Sequence, residues 1–170
     1  MTTPATRPTE QQVWGWLAEV PDPEIPAVSV VDLGIVRDVA WDGDELAVAV
    51  TPTYSGCPAT SVIAFQIEEA LRARGLDRVR LDRRLSPPWT TAWISEEGRR
   101  KLAAYGIVPP DESAGPASPL SRLGGRRRAV NCPRCGSAHT SRVSEFGSTP
   151  CKAQYRCDDC LEPFDYFKCL

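Results

Sequence analysis

Two Cys-x-x-Cys turns near the C-terminus, Cys132-Pro-Arg-Cys135 and Cys157-Asp-Asp-Cys160, constrain this chain more than any other feature. A thiolate is a soft anionic ligand, and each turn can present two sulfurs at about 2.3 Å from one tetrahedral ion. Two such turns therefore close a structural Zn site without a histidine. The 21 residues between the pairs exceed the usual limit of about 20 by one, which a hairpin tip absorbs. Six of the seven cysteines fall after position 130. A segment this short buries too little apolar surface to fold alone, and a bound metal supplies the missing free energy. The expected unit is a zinc-ribbon-like domain over 131–170, with short strands at 141–146, 153–156 and 164–167 and a small core of Phe146, Tyr155, Phe164 and Phe167.

Cys132, Cys135, Cys157 and Cys160 are thus the expected metal ligands. Four thiolates accept zinc or an iron–sulfur centre, and the spacing alone leaves that choice open. Cys151 and Cys169 are additional candidates for support of this metal site; a reserve pair, apolar packing or replacement of a knuckle ligand are the alternatives. The single histidine, His139, would complete a three-Cys-one-His set, but two complete Cys pairs make it unnecessary.

The odd cysteine count, the metal-type spacing and the lack of a signal-peptide pattern argue against a disulfide-stapled secreted protein, so a cytoplasmic location is expected. No apolar run approaches the roughly 20 residues that span a bilayer, so no membrane insertion is expected. A net charge of -2 gives no global basic excess for nucleic acid. The local run Arg126-Arg127-Arg128 reads as a solvated linker.

Ahead of the ribbon, the chain reads as a small α+β domain. Residues 1–8 are expected to be disordered and 9–106 to be folded. Thr9-Glu10-Gln11-Gln12 forms a capping box before a helix whose apolar residues are Val13, Trp14, Trp16, Leu17 and Val20. Asp22-Pro23-Glu24-Ile25-Pro26 follows as a rigid acidic loop, because a residue preceding proline is pushed out of the helical region. Asp22 and Glu24 either cap turns or serve a site. Residues 35–41 and 45–50 flank Asp42-Gly43-Asp44 as a hairpin.

A turn containing Gly56-Cys57-Pro58 leads to an amphipathic helix over 59–74 that presents Val62, Ile63, Phe65, Ile67, Ala70 and Leu71. Pro58 suits the first helical position, which puts Cys57 at or beside the N-cap. There the helix dipole and free N–H groups would lower its pKa and make it a nucleophile or metal ligand; a small buried apolar residue is the bland alternative. Residues 79–85 alternate as a third strand. Ser95 caps a further helix whose Leu102, Ala103 and Tyr105 pack inward. The Pro, Gly, Ser and Arg content of 107–130 marks a flexible linker.

Asp22-Pro23-Glu24-Ile25-Pro26, Val31-Asp32-Leu33-Gly34-Ile35-Val36 and Gly56-Cys57-Pro58 before a helix resemble the metal–sulfur cluster assembly family, which includes SufT-type proteins. That family implies a three-stranded sheet with helices over 9–106. The stretches from Cys132, from Phe146 to Ala153 and from Glu162 to Cys169 are similar to the D-protein family of the phenylacetyl-CoA epoxidase operon, which joins such a domain to a ribbon. The resemblance implies an accessory factor of aerobic phenylacetate degradation, not itself a catalyst. Its role would be to assist assembly or insertion of an iron–sulfur or di-iron centre, with the epoxidase's reductase and di-iron oxygenase components as partners.

Carried onto this sequence, the resemblance makes Cys57 the reactive or transfer thiol, Asp22 and Glu24 its acidic neighbours, and iron or an iron–sulfur cluster its transient cargo. A structural subunit without metal transfer, or an iron–sulfur electron carrier, are the competing expectations.

Overall fold

The computed structural model describes residues 7–54, 56–110 and 130–168. The N-terminal part runs α1 (Glu10–Leu17), β1 (Val36–Asp42), β2 (Glu45–Val50), α2 (Thr60–Arg72), β3 (Val79–Arg83), a 3-10 turn (Thr91–Trp93) and α3 (Glu96–Ala104). Beyond it lie β4 (Ile107–Val108), β5 (Thr140–Ser144), β6 (Lys152–Cys157) and β7 (Pro163–Phe167). The fold is α+β, with one three-stranded sheet and one four-stranded sheet.

The Thr9 hydroxyl accepts from the Gln12 N–H, and the Gln12 side chain accepts from the Thr9 N–H, so the capping box fixes the start of α1. Val13 and Leu17 are buried on its inner face, while Trp14 and Trp16 lie only half-buried at its rim. Arg7 and Pro8, expected to be disordered, are held against Trp41: the Pro8 carbonyl accepts from Trp41 Nε1 at 3.2 Å, and Arg7 stacks over the Trp41 ring. Residues 1–6 lie outside the described residues.

β1 and β2 pair antiparallel through a hairpin in which Gly43 takes a φ of 57°. β3 joins β2 in parallel, with α2 as the crossover between them. Ile63, Ile67 and Leu71 point from α2 into the core, whereas Val62 and Phe65, expected on the apolar face, are exposed. In α3, Leu102 is fully buried, but Ala103 and Tyr105 face solvent rather than packing inward.

The loop from Val28 to Ile35 is the keel of this part. Gly34 has a φ of 65°, and a Cβ placed there would lie 2.5 Å from the Trp93 carbonyl oxygen. Only glycine permits that approach. On the same loop, Asp32 bonds Lys101 Nζ at 2.7 Å and accepts the Ser29 N–H, which ties α3 down. Burial raises the Asp32 pKa, but the Lys101 ammonium and the Ser29 N–H and hydroxyl pull it further down, leaving it below the usual carboxylate value.

The second sheet has the order β4-β7-β6-β5. Its outer strand β4 comes from Ile107–Val108, so the stretch expected to start a flexible linker at 107 instead begins with a strand paired in parallel to β7. Residues 111–129, including Arg126 to Arg128, lie outside the described residues. Tyr155 stacks on Phe164 and meets Tyr166 edge-on, giving the ribbon its small core together with Val130, Cys132 and Cys157.

Two of the four aromatic residues expected there are elsewhere. Phe146 is exposed, with Lys168 over its ring, and Phe167 turns away into the N-terminal core. Its ring centroid lies 6.0 Å from that of Trp89, whose Nε1 donates to the Leu33 carbonyl at 2.8 Å. Cys151 enters the same core, so one apolar cluster spans both parts of the chain. No described helix is long and apolar enough to cross a membrane.

Candidate functional site

Two groups of cysteines are separated in space. The first is the knuckle set. In each knuckle the first cysteine's N–H bonds a carbonyl five residues on, Cys132 to Ser137 and Cys157 to Glu162, which curls the chain around the sulfurs. The residue after each second cysteine adopts a left-handed conformation, Gly136 at φ 75° and Leu161 at φ 63°.

The Cys132 and Cys160 sulfurs are 3.6 Å apart, as are those of Cys135 and Cys157, and all four lie within 4.8 Å of one another. A tetrahedral ion at about 2.3 Å from each sulfur sets S···S separations of about 3.8 Å, so the set fits one ion at its centre. Crowding divides the thiols. Burial pushes Cys132 up, yet the N–H groups of Cys135 and Arg134 and the neighbouring thiols bring it down to about 7. For Cys135 the Ser137 N–H favours the thiolate, but the Cys160 and Cys157 sulfurs outweigh it and drive the pKa up to about 12. A second anion is costly beside the first unless a cation balances both. His139 is exposed and faces Asp159, outside the four-sulfur set.

The second group surrounds Cys57. The Cys57 N–H donates to the Tyr54 carbonyl at 3.1 Å, and the Cys57 carbonyl accepts from the Thr60 hydroxyl at 2.8 Å, so the thiol sits on a tight turn ahead of α2. The N-cap of α2 is Ala59, which leaves Pro58 before the helix rather than in its first turn. Asp22 and Glu24 reach the same place from the acidic loop. Asp22 Oδ1 accepts the N–H groups of Glu24 and Ile25 at 2.9 and 2.8 Å, folding the Asp-Pro-Glu loop around its own carboxylate.

Cys57, Asp22, Glu24 and Cys151 line one small cavity, walled by apolar residues such as Leu33, Ile35 and Ile63. The Cys151 Sγ is 3.9 Å from Glu24 Oε2, a contact spanning 127 positions of sequence. Cys151 is therefore placed with Cys57 rather than with the knuckle cysteines. Cys169 lies outside the described residues.

The electrostatics of the cavity differ from expectation. Burial raises the Cys57 pKa, the Ala59 N–H and Thr60 hydroxyl oppose this, and the Glu24 and Asp22 carboxylates add to the rise. The expected lowering by a helix N-terminus is outweighed, first by burial of the thiol and then by the two carboxylates, although the Ala59 N–H still favours the thiolate. Burial and the same carboxylates push Cys151 up to about 11, against the Thr149 hydroxyl and Lys152. Glu24 is raised by burial and by Asp22, and Asp22 by burial against its own N–H bonds. Such a pocket disfavours free anions and rewards a cation.

Comparison with known proteins matches both parts. Residues 10–80 match the family described as iron–sulfur cluster assembly protein, and residues 116–168 match the PaaD zinc beta ribbon domain. An Escherichia coli (strain K12) protein, provisionally named as the D component of 1,2-phenylacetyl-CoA epoxidase, is 46% identical over 163 residues, 96% of this chain and 94% of that relative. Among solved structures, a domain of unknown function from Bacillus anthracis is similar with a TM-score of 0.51 at 27% identity, covering 55% of this chain and 90% of that one. A conserved hypothetical protein from Thermotoga maritima is 32% identical over 58% of this chain and 97% of that one, with a TM-score of 0.49.

Proposed function

This chain belongs to the PaaD family, and from that membership we propose that it is an accessory maturation factor for a phenylacetyl-CoA epoxidase. It helps assemble or insert the iron–sulfur or di-iron centre of that system, through contacts with the reductase and di-iron oxygenase components. The single observation that carries this reading is the separation of the cysteines into a four-sulfur set and a distinct cavity that holds Cys57. The knuckle sulfurs make a closed four-ligand set suited to a resident Zn, held by Cys132, Cys135, Cys157 and Cys160, which would stiffen the ribbon.

Cys57, by contrast, is half-buried in a cavity with acidic neighbours and has no second knuckle partner. Handing over iron needs a ligand that binds and lets go, which an open site permits and a closed one does not. The cavity has no imidazole to serve as a base, since the one histidine of the chain is exposed in the ribbon. Its carboxylates oppose a free thiolate and favour one bound to a cation, which suits a carrier better than a catalyst.

The test is metal and acid-labile sulfide content of the anaerobically purified wild type and of Cys57→Ser, together with the iron content of epoxidase components produced beside each. The expected result is one Zn per chain in both, with iron lost from the variant and from the epoxidase it accompanies. A fully loaded epoxidase beside Cys57→Ser would sink the reading. It would favour a structural component without metal transfer, a role suggested by the relative's naming as part of the epoxidase itself.

A further inference from the structure

We propose that β3 is a self-pairing edge, along which two copies of this chain join antiparallel into one continuous sheet, with the two-fold axis at Leu81. The proposal is independent of the maturation reading. β3 ends the order β1-β2-β3, and among the described elements it meets only β2 and α2. The Leu46 N–H donates to the Arg78 carbonyl at 2.9 Å, and the Arg84 N–H donates to the Val50 carbonyl at 2.8 Å. These bonds set the alternation along the strand. Even-numbered residues turn their backbone groups to β2, so those of Val79 and Leu81 face the open side. An open row of N–H and C=O groups is a template for a further strand.

The side chains choose the occupant and the register. Arg80 and Asp82 stand on the sheet face opposite Leu81, and Arg80 Nε is 3.1 Å from Asp82 Oδ1. With Leu81 across the axis from its own counterpart, Arg80 lies opposite Asp82 of the second copy, and Asp82 opposite Arg80 of that copy. Such directly opposed residues bring their Cβ atoms within about 4.5–5.5 Å. The two Arg80–Asp82 pairs then close into a ring of alternating charge. A slip by two residues in either direction would instead set Arg80 against Arg80 or Asp82 against Asp82, so a single register is selected. At the ends of the ladder Arg78 meets Arg84 of the second copy, but each already has an acid, Asp44 at 3.7 Å and Asp38 at 3.4 Å. On the other face, Leu81 is only half-buried in the single chain and is covered by its counterpart. Charged side chains usually blunt an edge strand; here opposite signs two residues apart become an attraction once a two-fold axis lies between them.

The experiment is sedimentation velocity of the reduced, Zn-loaded full chain over the micromolar to millimolar range, with amide hydrogen exchange at Leu81 read at both ends of it. A ladder this short makes a small interface, so wild type should pass from one chain to two as concentration rises. Exchange at Leu81 should slow in step. Asp82→Arg sets like charges opposite each other on both sides of the axis and should weaken dimerisation about tenfold. Arg80→Asp should do the same. An equimolar mixture of the two variants should regain the wild-type association, because every opposed pair is again unlike.

A single chain at every concentration would overturn the proposal and leave the edge to a strand of another protein. Dimers as strong in Asp82→Arg as in wild type would put the interface elsewhere, and a mixture no stronger than its components would refute the register. Should Arg80→Asp fail to fold, Leu81 in wild type decides: exchange that does not change with concentration refutes the pairing.

Discussion

Replacing Phe167 by alanine tests whether the ribbon is part of the N-terminal core or merely attached to it. The ring is 1% exposed, belongs to the cluster that holds Leu17, Ile25 and Ile67, and faces Trp89 at 6.0 Å with an interplanar angle of 52°. Truncating a fully buried Phe costs about 3–5 kcal/mol, a range that includes the ~0.5–1.5 kcal/mol typical of an aromatic pair. For a chain of this length each kcal/mol moves Tm by about 2–4 °C, so the fall should be on the order of 10 °C.

The assay is urea unfolding of Zn-loaded protein, with hydrogen exchange at the β1–β2 amides to report the N-terminal sheet. Phe164→Ala is the control, because Phe164 packs on Tyr155 within the ribbon and its loss should spare those amides. Protection in β1 and β2 that changes by less than about 1 kcal/mol in Phe167→Ala would refute the shared core.

Asp32→Asn should cost about 1–2 kcal/mol at neutral pH, the partial exposure of Lys101 keeping the figure low. Because the folded pKa of Asp32 is depressed, its contribution is present above the unfolded value of about 3.9 and disappears as pH falls through the folded one; urea midpoints of wild type and variant should differ at pH 7 and draw together as the pH is taken below about 3.9. Gly34→Ala should lose well over 1 kcal/mol by thermal melting, since the new methyl meets the Trp93 backbone at a left-handed φ. Leu161→Gly should instead stabilise the Zn-loaded ribbon by about 1 kcal/mol, read as slower Zn release to a chelator, because it relieves a left-handed leucine that is exposed and packs on little.

Local signals were legible in the sequence wherever the physics is local. The capping box at Thr9, the Gly43 hairpin and the Cys-x-x-Cys knuckles each depend on a few neighbouring residues, and the structure has all three. Asp22 and Glu24 were recognisable as an acidic loop, and their meeting with Cys57 followed from a resemblance rather than from any spacing. What could not be read was the docking of the ribbon. Cys151 meets Glu24, and Phe167 meets Trp89, across gaps that leave no periodicity to detect.

Alternating apolar residues around the knuckles show that a strand has a buried face but not which core receives it, so the pattern alone assigns both Phe167 and Phe146 to the ribbon. The direction of the Cys57 shift failed for a related reason. The helix-terminus argument is local and survives in the Ala59 N–H, whereas the burial and the two carboxylates that outweigh it depend on the folded arrangement.

The pairing of β4 with β7 bears on how this protein can be divided. The zinc beta ribbon match begins at residue 116, yet the sheet that carries the knuckles is completed by Ile107–Val108. A ribbon expressed from 116 onward would lack its outermost strand and leave the β7 backbone open along one side, beside Phe167 stripped of its apolar socket. An open edge next to a bare aromatic ring invites pairing with another chain. A soluble fragment would have to begin before Ile107, and one that also shields Phe167 would have to bring the N-terminal core with it.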